Sequence, residues 1–315
     1  MGVNNGGEHS VDVTYIAQAE VTGNATVRTR TEVTDVQRQD DGTWLVHALH
    51  TDDAGRTQRR LALTAGSVVM AAGSVSTTRL LLRAKHTGTV PGLPDTLGQG
   101  WGSNGDRIYV WSDPTANFGK VQGGPVVYGT NQWDDPDHAH TIIQASIPGF
   151  GIDAMSTMMV GFGVSSTSGS FRWNSSTTTA DLHWPAGGDR ELIENHIRPT
   201  ADKIISAGGA PGMLTDTNDM VNSTWHALGG ACMGTVCDLE GAGHRTGGAL
   251  RPRRCADPGD NGRMQSVDDD RRCRRACDGR RGPGDRRAEV CDAPIVLRGV
   301  RPSIDRYVVK HVPIQ

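Results

Sequence analysis

Among the 315 residues, the stretch Ser223-Thr224-Trp225-His226-Ala227-Leu228-Gly229-Gly230-Ala231-Cys232-Met233-Gly234 holds the densest set of groups able to do chemistry. An imidazole takes or gives a proton near neutral pH, and the tandem glycines that follow let a backbone pass close to a planar ligand while the ring stays near its reactive edge. A histidine in this setting can equally be a structural one, and the residues alone leave both readings open. A second element is Ala72-Gly73-Ser74, between an apolar run at 67–72 and a helical pattern at 77–85. A strand, a glycine turn and a helix leave free N–H groups at the helix start, where a phosphate or the edge of a cofactor can sit. A plain strand-to-helix connection fits the same pattern. Metal chemistry has weaker footing, because Cys273-x-x-x-Cys277 needs two further ligands and Cys255 and Cys291 form no paired knuckle. No metal site is assigned.

The elements that must position these groups follow from periodicity. A helix is expected at 11–20. Strands at 25–30, 32–38 and 43–50 alternate in the manner of a β-meander, with Asp40-Asp41-Gly42 as a hairpin turn and a further strand at 61–64. The helix at 77–85 presents Leu80, Leu81 and Ala84 on one face. From Trp101 onward, short strands at 107–111, 125–128, 141–145, 156–163, 170–173 and 180–184 suggest a second, antiparallel sheet. Its Met158, Met159, Val160, Phe162 and Val164 could line a broad pocket, or be ordinary core. The clearest helix, 190–207, carries Leu192, Ile193, Ile197, Ala201, Ile204 and Ile205 at helical spacing and ends in Gly208-Gly209.

Composition bounds the rest. A hydrophobic content of 36% over this length suits two domains with at least one sizeable core and excludes a collagen or a coiled coil. No apolar run approaches the roughly 20 residues of a membrane helix. The first residues have neither the basic start nor the apolar run of an export signal, so the chain reads as cytoplasmic as encoded. The net charge of −3 hides two compositions. Residues 1–241 carry 15 Lys and Arg against 25 Asp and Glu, whereas residues 242–315 carry 17 against 10, with four of the six cysteines. Between 242 and 293 only Leu250, Met264, Val267 and Val290 offer substantial aliphatic surface, too little to offset the entropy of ordering the backbone, so that tail is expected to be largely disordered. Its arginines are interleaved with acids at 268–270, 278 and 285, and its one aromatic is Tyr307, which argues against a nucleic-acid partner. Arg, Gly, Asp, Pro and Cys in profusion are what a GC-rich gene yields out of frame, and a frameshift near Gly241 is expected.

Taken in order, several landmarks resemble those of the glucose-methanol-choline (GMC) flavin oxidoreductases, within them the bacterial cholesterol oxidase branch. They are Gly2-Val3-Asn4-Asn5-Gly6, Asp12-Val13-Thr14-Tyr15, Val69 to Ser74 with Arg79 to Ala84, Gly98-Gln99-Gly100-Trp101-Gly102-Ser103-Asn104-Gly105, and His226-x-Leu228-Gly229-Gly230 leading to Cys232. The resemblance implies a mixed α+β and α/β fold in which an incomplete, Rossmann-like FAD-binding domain (1–103 and 210–241) carries an inserted antiparallel-sheet substrate domain (104–209), followed by an aberrant tail (242–315). It implies FAD as cofactor, held by Asn4, Asn5, Gly6, Val33 beside the adenine, Ala72, Gly73, Ser74, Gly102, Asn104, Gly105, Gly229 and Gly230. It implies oxidation of a sterol-like secondary alcohol, with molecular oxygen as a candidate acceptor and transient contact with a membrane surface for substrate uptake. His226 matches the family position that hydrogen-bonds the substrate hydroxyl. Gln144 stands where cholesterol oxidases place a glutamate linked to isomerisation; an amide cannot act as a base near neutral pH, so oxidation without efficient isomerisation is expected. The family's Gly-x-Gly-x-x-Gly loop is not found ahead of the first landmark, nor its Asn-Pro turn after Gly241, which reads as a truncated, inactive fragment of an enzyme whose relatives are often exported. A sterol or apolar-ligand binding module without redox activity is the alternative.

Overall fold

The computed structural model describes residues 10–120, 122, 128–147, 152–208, 212–217, 223–239 and 242–243, and the backbone of Ile295–Arg298 and Tyr307–Val309. Asn4, Asn5, Gly6 and most of the tail lie outside the described residues. The fold mixes helices with antiparallel sheets. A π-helical turn at Asp12–Ile16 runs into α1 (Ala17–Val21). Then follow β1 (Ala25–Val27), β2 (Thr31–Arg38), β3 (Trp44–Thr51), β4 (Thr57–Ala65), β5 (Ser67–Met70) and α2 (Gly73–Thr87). Next come β6 (Gln99–Trp101), β7 (Arg107–Ser112), β8 (His140–Ala145), β9 (Ser156–Gly163), β10 (Gly169–Asn174) and β11 (Thr179–His183). The second helical stretch is α3 (Arg190–Leu192), a π-helical turn (Ile193–Ile197) and α4 (Arg198–Ala207), before β12 (Met213–Asp216). The backbone closes with β13 (Ile295–Arg298) and β14 (Tyr307–Val309).

Two cores organise these elements. The meander β2-β3-β4 turns Val36, Trp44 and Val46 inward onto α2, whose Leu81, Leu82 and Ala84 meet Trp101, Phe171 and Ala180 of the β11-β10-β6 sheet on the other side. The alternation of β3, with Trp44, Val46 and Ala48 buried, is what the period-2 pattern demands. The second core lies between the four-stranded sheet β12-β7-β9-β8 and the helix at 190–207, and packs Tyr109, Ile142 and Met159 against Leu192, Ile197, Ala201 and Ile205. Full burial of such side chains contributes roughly 1.5–3 kcal/mol each.

The expected elements reappear within a few residues of their sequence-based bounds, apart from the strand at 125–128, of which 125–127 lie outside the described residues. The differences have physical causes. The strands β6 and β12 were not expected; three and four residues long, they are strands because of the partners they find, β10 and β7. Met159 belongs to core rather than to a pocket, because alternation along β9 sends it to the helix side. Beyond the 242–293 segment, whose largely disordered character was expected, the tail contributes two short strands: β13 pairs antiparallel with β5, and β14 pairs parallel with β1. Both triplets, Ile295-Val296-Leu297 and Tyr307-Val308-Val309, are β-forming sequences outside the polar part of the tail. That last pairing is the one parallel strand pair among the described residues.

Candidate functional site

The link between β6 and β7 joins the first core to the second, and the His226 loop is tied to it. Gly102 and Leu228 exchange both backbone hydrogen bonds at 3.0 Å, and the Gly98 amide donates to the Gly230 carbonyl at 2.7 Å. Ser74 Oγ, in the first turn of α2, donates to the Gly229 carbonyl at 2.9 Å. The two glycines are demanded by this crossing. Both have positive φ (73° and 79°); a Cβ on Gly229 would strike the Gly100 carbonyl, and one on Gly230 the Thr78 hydroxyl. In the direction a Cβ would take, the room they make is filled by the chain itself. On the far side of the link, Ser103 Oγ donates to Asp189 Oδ2 at 2.5 Å and accepts from the Gly105 amide at 3.1 Å, fixing the turn that precedes Asp106.

Asp106 is the residue that sequence reading missed. Its side chain is fully buried, and its Oδ1 lies 2.6 Å from His226 Nδ1. Its Oδ2 accepts from Thr224 Oγ1 at 2.7 Å, the Trp225 amide at 2.6 Å and the His226 amide at 3.2 Å. Burial pushes the Asp106 carboxyl upward, but the hydrogen bonds from His226, Thr224 and the Trp225 amide outweigh it and leave the pKa below the ordinary value. For His226 the hydrogen bond to Asp106 raises the pKa, against a smaller opposing effect of burial. A carboxylate on Nδ1–H sets the tautomer, so that the neutral ring carries its lone pair on Nε2. The imidazole is 41% exposed at its side chain. The arrangement is a positioned proton acceptor whose charged form is stabilised from behind. The only signal in the sequence was adjacency: Asp106 directly follows the Asn104-Gly105 landmark.

His226 rests on the four-stranded sheet, its ring centroid 5.1 Å from that of Phe162. Register defines the face involved. Phe162 pairs with Thr141, and Val160 with Ile143 and Ile108, so these side chains share the face opposite the helix. Ile108, Val110, Ile143, Met158, Val160 and Phe162 there are all half-buried, an apolar surface with His226 at one end. Gln144 pairs with Met159, the helix-side residue. Its amide donates weakly to the Gln122 carbonyl at 3.5 Å, and its Oε1 is buried with no hydrogen-bond partner. Gln144 and His226 are therefore not brought together.

The residues expected at a cofactor divide by the space beside them. A Cβ on Gly73 or Gly102 would meet nothing within 4 Å, whereas Gly105, Gly229 and Gly230 are closed by Leu192, Gly100 and Thr78. Ala72 holds the start of α2 by donating its amide to Thr77 Oγ1 at 3.2 Å. Asn104 is buried with an Oδ1 that has no hydrogen-bond partner, a polar atom such as a bound group would satisfy. Open room at Gly73 and Gly102 and this unsatisfied carbonyl fit a flavin edge. Val33 stands apart, at a bulge of β2 packed against the first core. Cys232, beside the Gln99 and Gly100 carbonyls, and buried Cys237 are poor nucleophiles, because burial raises both thiols, Cys237 to about 11. A cleft of about 990 Å³ between α2 and β10–β11 shares Gly100 with these loops but not His226.

No protein-family model matches the chain. Over 107 residues it is 34% identical to a cholesterol oxidase of Mycobacterium tuberculosis (strain CDC 1551 / Oshkosh), and equally to the cholesterol oxidase of strain ATCC 25618 / H37Rv. The matched stretch is 34% of this chain and 18% of either relative, so the chain spans under a fifth of the length of the curated relatives it matches.

Proposed function

We propose that the chain carries the catalytic histidine and part of the substrate surface of a GMC-type, FAD-dependent oxidoreductase acting on a sterol-like secondary alcohol. The observation that carries this reading is the fully buried Asp106 on Nδ1 of His226, at the end of an apolar sheet face. The partial similarity to cholesterol oxidases supports it. The β5-α2 unit is then part of a Rossmann-like domain, and Ala72, Gly73, Ser74, Gly102 and Asn104 are the residues that would hold the flavin. That group, when bound, supplies the acceptor for the hydride of the carbinol carbon. The residues of the chain do the rest. The half-buried face from Ile108 to Phe162 takes the apolar rings and excludes water from them. Nε2 of His226 accepts the hydroxyl proton as the carbon–oxygen double bond forms, and Asp106 stabilises the imidazolium that results. Gln144, on the other face, has no part in this chemistry.

The test is to titrate the full chain with FAD, following quenching of flavin fluorescence, and then to add cholesterol anaerobically. Bleaching of the flavin absorbance that disappears in His226→Gln is the expected result. FAD that binds but stays oxidised with every secondary sterol alcohol overturns the redox reading. A binding module without redox chemistry has one observation in its favour, the apolar face itself, which contains no residue expected at the flavin. Sterol affinity that is the same with and without FAD, together with no bleaching, would establish it.

A further inference from the structure

A cluster of metal-binding side chains that shares no residue with the His226 site lies where the loop before β8 meets the helix at 190–207. One ligand atom from each of His138, Glu191 and His196 falls within 4.8 Å of the others. The His138 and His196 rings stack with centroids 4.5 Å apart and planes 18° from parallel, and His196 Nε2 lies 3.1 Å from Glu191 Oε1. The helix is built to make that last contact. Residues five apart on an α-helix point about 140° away from each other, but Ile193–Ile197 forms a π-helical turn, whose i to i+5 repeat returns Glu191 and His196 to one side. His138 is also oriented in advance: its Nδ1 is 2.6 Å from Asp135 Oδ2, an arrangement that leaves Nε2 as the lone-pair nitrogen. His140, beside them, has both nitrogens engaged, by the His138 carbonyl at 2.9 Å and Thr200 Oγ1 at 2.8 Å, and so is not a ligand.

We propose that His138, Glu191 and His196 form a binding site for a borderline divalent transition cation of the zinc class, with Asp135 as the carboxylate behind His138 and water completing the shell. Two imidazoles and one carboxylate suit zinc, whereas calcium and magnesium select oxygen ligands. Metal–ligand bonds of roughly 2.0–2.1 Å place tetrahedral donors roughly 3.4 Å apart, a contraction that the exposed His138 and Glu191 side chains can make by rotation. The bound ion pins the segment leading into β8 to the helix that covers the second core, and so stiffens one edge of the four-stranded sheet.

The full chain, stripped with chelator and kept reduced, is titrated with zinc chloride by calorimetry, alongside His196→Ala and Glu191→Gln. Glu191 is exposed and His196 half-buried, and Glu191→Gln preserves shape, so it reports even where the alanine variant unfolds. Zinc is expected to raise the thermal midpoint of the wild type and not of either variant, with one zinc equivalent lost from each variant. Asp135→Asn is expected to weaken that equivalent about 10–100-fold. Cobalt(II) as a spectroscopic probe separates the site from the cysteines, since the equivalent lost in Glu191→Gln should lack thiolate charge-transfer absorption. Equal zinc stoichiometry and affinity in wild type and Glu191→Gln, or equal competition by magnesium, overturns the proposal.

Discussion

The two faces of the sheet β12-β7-β9-β8 are built from the same apolar residue types and end differently. On the helix side, Tyr109, Ile142 and Met159 are closed over by Leu192, Ile197 and Ala201. Gly161 sits so near Ile197 that a Cβ there would collide with it. On the other side, Ile108, Val110, Ile143, Val160 and Phe162 stay half-buried, and the one titratable ring seated on Phe162 is backed by a buried carboxylate. Burial of the first face is spent on stability. The second stays partly open, with His226 and its buried carboxylate at the edge.

The sharpest way to break this comparison is at the dyad. His226→Gln and Asp106→Asn are expected to slow anaerobic flavin reduction by cholesterol about 10²–10⁴-fold, the range for loss of general-base help. Stopped-flow bleaching rates at saturating sterol are the measurement, and a loss below threefold in both variants would place the chemistry elsewhere. On the opposite face, Ile197→Ala should cost about 2–5 kcal/mol of stability in urea unfolding, the range for a large-to-small core change, and leave sterol affinity untouched. Val160→Thr should show the reverse pattern. Replacing one methyl by a hydroxyl is expected to weaken sterol binding about tenfold, while unfolding changes by about 1 kcal/mol, the low end for burying a hydroxyl, because Val160 is only half-buried.

Titration sharpens the contrast without altering shape. Because the His226 pKa is raised by Asp106, flavin reduction should climb with pH through a midpoint above the ordinary histidine value of 6.5, where Nε2 loses its proton. The stabilising pair behaves oppositely: its contribution is fully present below 6.5 and is lost as pH rises through the raised value. Asp106, with a lowered pKa, gives stability that is lost as pH falls through that value. Carbon-bound proton shifts of His226 followed by NMR should return toward the ordinary midpoint in Asp106→Asn. The smallest effect belongs to Gln144→Glu, which should change sterol oxidation and isomerisation less than twofold in a product assay. A gain of isomerised product there would put Gln144 back beside the substrate.

Much of this was legible in the residues. Alternation in 44–51 and 156–163 and the spacing of Leu192, Ile193, Ile197 and Ala201 express local geometry, and the structure forms strands and a helix at those places. The His226 loop declared itself through residue type and its paired glycines, although their purpose, the crossing over Gly100 and Thr78, did not. Gln144 shows the limit of reading by family likeness. A position in a strand names the strand but not the face until its register is known, and pairing with Met159 turns Gln144 toward the helix. The metal cluster escaped for a similar reason: a spacing of five between Glu191 and His196 does not place them together on an ordinary helix, and His138 is contributed from a distant loop.

By itself, the sequence determined the periodic elements, the glycine turn before α2 and the imidazole at 226, because each depends on residues a few positions apart. Only the tertiary structure decided that Asp106, 120 positions before His226, is its partner, and which face of the sheet that pair adjoins. Hydrogen bonds across such separations leave no local pattern. They exist because two packed cores hold the Gly102–Asp106 link and the His226 loop against each other, and packing is a property of the whole fold rather than of any segment.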